Sequence, residues 1–170
     1  MRLEALSQEQ CEVVRQWRNE DISHLRTPYL LTAPMQEQFF YDVVSHRKSV
    51  HRYWAVMDKV FLAIGGITNI QWENRIGEIS LLIAPKLRMQ GYGPQIVDLL
   101  LSDAFNRLNL QTVHGECYWN NEKGIVFWGK IVNKYNGFEI PLPKRKFWNG
   151  QYYNGQYFSI DANDFRKVGK

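Results

Sequence analysis

The chain has 170 residues, too long for a disulfide-stapled miniprotein and short for two full domains, so one domain over residues 1–170 is expected. Hydrophobic residues at 45% and charged residues at 22% exclude a disordered chain. The net charge of +4 suits an anionic ligand but falls far below the clustered basicity that makes nucleic acid the default partner.

Other classes fall away as quickly. No segment reaches the roughly 18 apolar residues of a transmembrane helix; the best run, Val60 to Ile67, contains Gly65 and Gly66. Glu4 interrupts the start, which lacks the long apolar region of a secretory signal. Cys11 and Cys117 are far apart and unpaired by any CxxC spacing, and His24, His46, His51 and His114 form no metal-ligating pattern. A cytoplasmic protein with reduced thiols and no metal is expected. Nothing in the sequence separates a monomer from a homodimer.

In chain order, Ser7 and Gln10 form a capping box for a first helix whose apolar face carries Cys11, Val14 and Trp17. Thr27-Pro28 breaks the chain, and a second helix is predicted from Thr32, with Pro34 in its first turn and a stripe of Phe39, Phe40, Val43 and Val44. Tyr53–Met57 and Val60–Ile70 read as strands joined at Asp58-Lys59, with Gly65-Gly66 marking a bulge or a close backbone approach. Gln71–Arg75 is a polar turn, and Ile76–Ile83 a third strand stopped by Pro85. After Gly93, the apolar positions Val97, Leu100, Leu101, Ala104, Phe105 and Leu108 give the clearest amphipathic helix. A strand at Thr112–Tyr118 follows, then a helix capped by Asn120 or Asn121 and running to about Val132. Phe138–Pro141 and Tyr152–Ile160 are closing strands, separated by the basic run Lys144-Arg145-Lys146 and by Asn149-Gly150. This order predicts an α/β domain around one mixed sheet.

The chemistry concentrates where the third strand meets the strongest helix, at Arg88-Met89-Gln90-Gly91-Tyr92-Gly93-Pro94. Amides at a helix start have no internal partner and carry the positive end of the dipole, so an anion can sit there. Glycines let the backbone approach it, and Arg88 can add a charge-assisted contact. The loop is neither a P-loop nor a dinucleotide fingerprint, because position 96 is Ile rather than Gly.

Arg88-x-x-Gly91-x-Gly93 resembles the Gln/Arg-x-x-Gly-x-Gly/Ala signature of the GNAT acetyltransferase superfamily. Trp17-Arg18-Asn19, Gly65-Gly66-Ile67, Asn121-Glu122-Lys123 and Gly137-Phe138 resemble the branch of ribosomal-protein N-terminal and pseudaminic-acid-pathway amino-sugar acetyltransferases, in the family's order. The resemblance implies a mostly antiparallel central sheet splayed at the cofactor loop, with helices on both faces. It also implies acetyl-CoA as cosubstrate. Leu81, Leu82 and Ile83 would run beside the pantetheine, and Arg88 to Pro94 would hold the pyrophosphate. Asn121 would lie near the sulfur and Lys123 near the phosphates, although Asn121 also suits a helix cap and Lys123 a solvated surface charge. Arg18, His24, Arg26 and Tyr29 would line the acceptor pocket.

The family's usual general acid is a tyrosine where this chain has Trp128, and an indole N–H gives up no proton at working pH. Tyr135, Tyr118 and Cys117 are the candidate substitutes. Glu78 is the candidate base and Glu116 the second, each with the alternative of an ion-paired carboxylate. The implied activity is direct N-acetylation of a small amine or a nucleotide-linked amino sugar. The alternatives are a protein N-terminus as acceptor, or a catalytically weak coenzyme-A-binding module.

Overall fold

The computed structural model describes residues 1–46 and 49–168. In chain order its elements are β1 (Arg2–Ala5), α1 (Gln8–Glu20), α2 (Ala33–Phe39), β2 (Arg52–Met57), β3 (Phe61–Gln71) and β4 (Ile76–Ile83). There follow α3 (Tyr92–Asn106), β5 (Thr112–Tyr118), α4 (Glu122–Lys134), β6 (Phe138–Trp148), β7 (Gln151–Asp161) and α5 (Ala162–Val168). The seven strands form one sheet in the order β1-β2-β3-β4-β5-β7-β6. Only the β4–β5 pair is parallel.

The caps act as the sequence suggests. Ser7 Oγ accepts from the Gln10 amide at 3.2 Å and Gln10 Oε1 accepts from the Ser7 amide at 2.9 Å. Such a cap contributes about 1 kcal/mol to a helix end. The helix from Thr32 is α-helical only to Phe39 and then widens into a π turn over Phe40–Val44.

Two apolar cores sandwich the sheet. One, built of Leu6, Cys11, Val14, Ala55 and Ile64, lies under α1 and α2, and Trp17 stacks on Phe61 at 4.9 Å. The other joins α3, the end of α4 and α5 through Ile96, Leu100, Leu101, Phe105, Ile131, Val132 and Ala162. The alternation along β4 assigns Leu82 to the first core and Ile79, Leu81 and Ile83 to the second.

Gly65-Gly66 proves to be a close approach and not a bulge. A Cβ on Gly65 would stand 2.9 Å from Leu100 on one face, and one on Gly66 would stand 2.6 Å from the Tyr53 ring on the other. The register slip lies further on, between Thr68 and Gln71, where Asn69 takes φ 49°. The basic run Lys144-Arg145-Lys146 does not separate two strands, as the sequence reading had it. It lies inside β6, with a slip between Leu142 and Lys146 and Lys144 at φ 51°. As the sheet edge, β6 tolerates Pro141 and Pro143, which cannot donate to a ladder. The turn to β7 is Asn149-Gly150, both at positive φ (48° and 81°), the geometry a two-residue hairpin demands. β1 and α5, at 4 and 7 residues, are too short to leave a periodic signal in the sequence.

Candidate active site

β4 and β5 pair only over Ile76–Glu78 and Thr112–His114. Beyond that they part. β5 continues against β7 to Tyr118, and β4 continues against β3 to Ile83, so Ile79–Ile83 has no partner strand on its β5 side. Backbone groups on that edge are free to pair with an extended ligand, as buried backbone must. A cavity of about 350 Å³ occupies the gap and is lined from both faces of the sheet.

On the α1/α2 face the cavity wall carries Arg18, Arg26, Tyr53, Glu78, Ser80 and Tyr118. Glu78 Oε1 accepts from Arg26 Nη2 at 2.5 Å, and Oε2 accepts from Asn69 Nδ2 at 2.7 Å. Burial alone would raise this carboxyl. The Arg26 hydrogen bond and charge, with the Asn69 amide, outweigh it and hold Glu78 below the usual carboxylate range. Arg26 Nε also donates to the Tyr118 hydroxyl at 3.1 Å, so one guanidinium joins carboxylate and phenol. Tyr53 faces Ser80 across Gly66 in the cross-strand row Tyr53–Gly66–Ser80, and its ring fits because position 66 has no side chain. Burial pushes the Tyr53 phenol up.

On the other face stand Cys117, Asn121, Trp128 and Phe158. Phe158 lies over Gly115, and Trp128 stacks on Phe158 at 4.6 Å and meets Phe127 edge-on at 5.0 Å. Trp128 therefore lines the cavity as a fixed aromatic wall. Burial pushes the Cys117 thiol up to about 11, so it stays protonated near neutrality and is a poor nucleophile. Asn121 caps α4, its Oδ1 accepting from the Gly124 amide at 2.9 Å. A Cβ at Gly124 would lie 2.8 Å from Cys117 Sγ, which explains the glycine there. Lys123, in the first turn of α4, is exposed.

Past the end of β4, Gly91 is the N-cap of α3 at φ 84° with open space where a side chain would be. No side chain caps this helix. Gly93 has another purpose: a Cβ there would stand 2.7 Å from Phe127, so it admits α4 against α3. Met89 is 82% exposed at φ 62°, the Gln90 side chain turns back to donate its Nε2 to the Lys86 carbonyl at 2.8 Å, and Tyr92 packs on the core. Arg88 is more engaged than expected. Its Nε donates to the Ile83 carbonyl at 3.1 Å and its Nη1 to Asp21 Oδ2 at 2.7 Å, while Nη2 is buried without a partner. The side chain thus ties the loop to the end of α1 and keeps one donor unspent.

Tyr135 stands apart from this site. It caps the C-terminus of α4, packs on Phe165 at 5.2 Å and donates its hydroxyl to Asp98. Seven residues of helix separate it from Trp128, roughly 10 Å along the axis, and it does not line the cavity. Glu116 does line it, ion-paired to Arg145 at 2.8 Å over Gly155.

Trp17-Arg18-Asn19 now divides by task. Trp17 locks α1 to β3, and Asn19 exchanges two hydrogen bonds with the Leu31 backbone at 2.8 and 2.9 Å. Arg18 enters the cavity. Sequence reasoning missed Asn69, Tyr53, Ser80 and His51 in the wall. The pairing of the Asp58-Lys59 hairpin, which sets Tyr53 beside Gly66, was the signal available for one of them.

This splayed sheet with a cavity through its gap is the GNAT fold. Residues 1–127 match the acetyltransferase (GNAT) domain family, and the chain belongs to that family of N-acetyltransferases. A comparison with curated proteins finds no match. Among solved structures, the spermidine N-acetyltransferase of Vibrio cholerae in complex with CoA and spermine has a TM-score of 0.85 at 20% identity over 97% of each chain. A point mutant of the same Vibrio cholerae enzyme gives 0.85 at 18% identity over 100% of both chains. A chimera of that enzyme with hSSAT gives 0.85 at 19% over 97% of each.

Acetyl-CoA fits what the residues offer. The unpaired β4 edge at Leu81–Ile83 suits an extended amide-bearing arm, and the uncapped α3 start with the spare Arg88 donor suits a pyrophosphate. Among the described residues no group of three or more His, Cys, Asp or Glu could hold a metal ion, and no helix is long and apolar enough to cross a membrane.

Proposed function

We propose that this chain acetylates the primary amine of a small molecule by direct transfer from acetyl-CoA, the amine entering from the α1/α2 face. The carrying observation is that one cavity joins the unpaired β4 edge to the hydrogen-bonded Glu78–Arg26–Tyr118 cluster. When bound, acetyl-CoA supplies an activated acyl group as a thioester. The remaining work falls to side chains.

Glu78 stays ionised near neutrality and has an acceptor lone pair left after its bonds to Arg26 and Asn69. It draws the ammonium in and takes up its proton, most simply through a water, since a carboxylate this stabilised is a weak base at direct contact. Of the two cavity phenols, Tyr53 and Tyr118, Tyr118 is the one bonded to a cation and serves where Trp128 cannot. Its oxygen already accepts from Arg26, so its own proton is free to pass to the departing thiolate, and the guanidinium stabilises the phenolate left behind. Trp128 and Phe158 make the dry wall on the far side. Cys117 has no part as a covalent carrier. The two free, buried thiols suit a reducing cytoplasm.

The acceptor is the finer question. The Trp17-Arg18-Asn19 resemblance favours amino-sugar or ribosomal-protein enzymes, whereas the structural neighbours are named for polyamines. A small amine is common to most of these. The test is a coenzyme-thiol release assay over amino sugars, nucleotide-linked amino sugars, polyamines, amino acids and peptide N-termini. Release with small amines supports the reading; release with peptides alone replaces it by protein N-terminal acetylation. Coenzyme binding without release from any amine replaces it by the binding-module reading.

A further inference from the structure

Among the described residues the charges that line the cavity balance except at Arg18; Lys146, just outside it, also lacks an ion pair but is spent on the Ser23 and Leu25 carbonyls. Glu78 is paired with Arg26 and Glu116 with Arg145, while nearby Asp21 is shared by Arg88 and His24. Arg18 makes a single side-chain hydrogen bond, from Nη2 to Thr27 Oγ1 at 2.9 Å, and no ion pair among the described residues. Its other guanidinium nitrogens have no hydrogen-bond partner among the described residues, and the residue lines the cavity. A guanidinium has five N–H donors in a planar fork that matches a carboxylate or a phosphate. Around it the wall is apolar or aromatic, with Val14, Phe39 and Tyr53, so the charge is poorly hydrated. His51 adds a second donor: its Nδ1 accepts from the Asn69 amide at 3.2 Å, which leaves the proton on Nε2.

We infer that the acceptor is an amine carrying an anionic group, carboxylate or phosphate, which Arg18 grips while the amine reaches Glu78. The inference rests on the acetyl-transfer reading and narrows it. A polycation such as spermidine would set further positive charge against a guanidinium that has no carboxylate partner among the described residues. An anionic amine instead neutralises Arg18 and presents its ammonium to Glu78, which keeps an acceptor site after its bonds to Arg26 and Asn69. Arg18 then selects the substrate, and Glu78 acts on it.

Matched acceptors test this by thiol release with the full chain. The pairs are O-phosphoethanolamine against ethanolamine, and glycine against glycinamide, with spermidine as the cationic arm. The expected result is a kcat/KM about tenfold to a hundredfold higher for one anionic member over its neutral partner, the size of a charge-assisted contact. The pair that responds identifies phosphate or carboxylate. Arg18→Gln should erase that preference through KM, bringing the anionic member down to its neutral partner, and Arg18→Lys should restore part of it. Preference for spermidine, or equal kcat/KM within both pairs, overturns the inference without touching acetyl transfer, and wild-type protein alone gives that answer. If no amine releases thiol, the acetyl-transfer reading fails. Titration calorimetry of O-phosphoethanolamine and of glycine into coenzyme-saturated protein then decides the anion site. Binding of either that Arg18→Gln abolishes upholds it, and absence of heat from both overturns it.

Discussion

Glu78→Gln separates a catalytic from a structural role by magnitude. The substitution keeps the side-chain volume and removes one charge. Glu78 is 12% exposed and Arg26 58% exposed, so the ion pair is half-solvated and its loss is well short of the cost of breaking a buried pair. The Gln oxygen can still accept from Arg26, and Asn69 can turn its amide to meet the new NH₂. What disappears is charge assistance, about 1 kcal/mol. A purely structural effect of that size is roughly a fivefold change. Loss of a proton acceptor costs about 10²–10⁴-fold in kcat. The assay is thiol release at saturating substrates across pH 6 to 9, with an unfolding curve for each protein. Because the folded-state carboxyl lies below its ordinary value, the stability it adds is present above the unfolded pKa and is lost as pH falls through the folded one. The stability gap between wild type and variant should therefore close in acid, while the deficit in kcat should shrink towards alkaline pH as the amine loses its proton unaided. A folded Glu78→Gln protein with kcat within about fivefold of wild type refutes the reasoning.

The two tyrosines should divide cleanly. Tyr118→Phe should lower kcat by about 10²–10⁴-fold with little effect on coenzyme affinity, whereas Tyr135→Phe should leave kcat intact and lower stability by only about 0.5–1.5 kcal/mol, because Asp98 keeps solvent and Lys134 as partners, read by urea titration. Gly91→Ala places a side chain at φ 84° and should cost about 1–2 kcal/mol, together with a weaker coenzyme Kd by calorimetry, because the strained turn must still present its amides. Cys117→Ala should keep kcat within about fivefold, and mass spectrometry of wild type with acetyl-CoA alone should find no acetyl-thioester on the chain; an adduct at Cys117 would replace direct transfer by a ping-pong route.

Much of the fold was legible because its signals are local. The capping box at Ser7, the apolar stripe of α3 and the strand Thr112–Tyr118 each depend on residues within one turn or one pleat. β6 was misjudged because its edge position, and the slip that absorbs Lys144, are set by β7 and not by its own composition. The glycine loop was readable as a motif, yet Gly93 serves Phe127, a contact supplied by a helix about 30 residues on in the sequence. Of the candidate catalytic residues, Glu78 and Trp128 line the cavity and Tyr135 does not, since only the axis of α4 tells which turn faces the gap. Asn69, Tyr53 and Ser80 were missed because a residue's face depends on register, and register depends on hairpin geometry and the slip near Thr68.

Hydrogen–deuterium exchange with and without coenzyme A tests the central claim, that the thioester carrier lies in the gap between β4 and β5. The amides within Ile79–Ile83 that face away from β3 lack a strand partner, and those at the start of α3 lack a cap, so both sets have protection to gain. The account predicts that coenzyme A slows exchange at 79–83 and at 89–93, and leaves the β6–β7 hairpin unchanged. Protection confined to other segments, or none at saturating coenzyme, would contradict it.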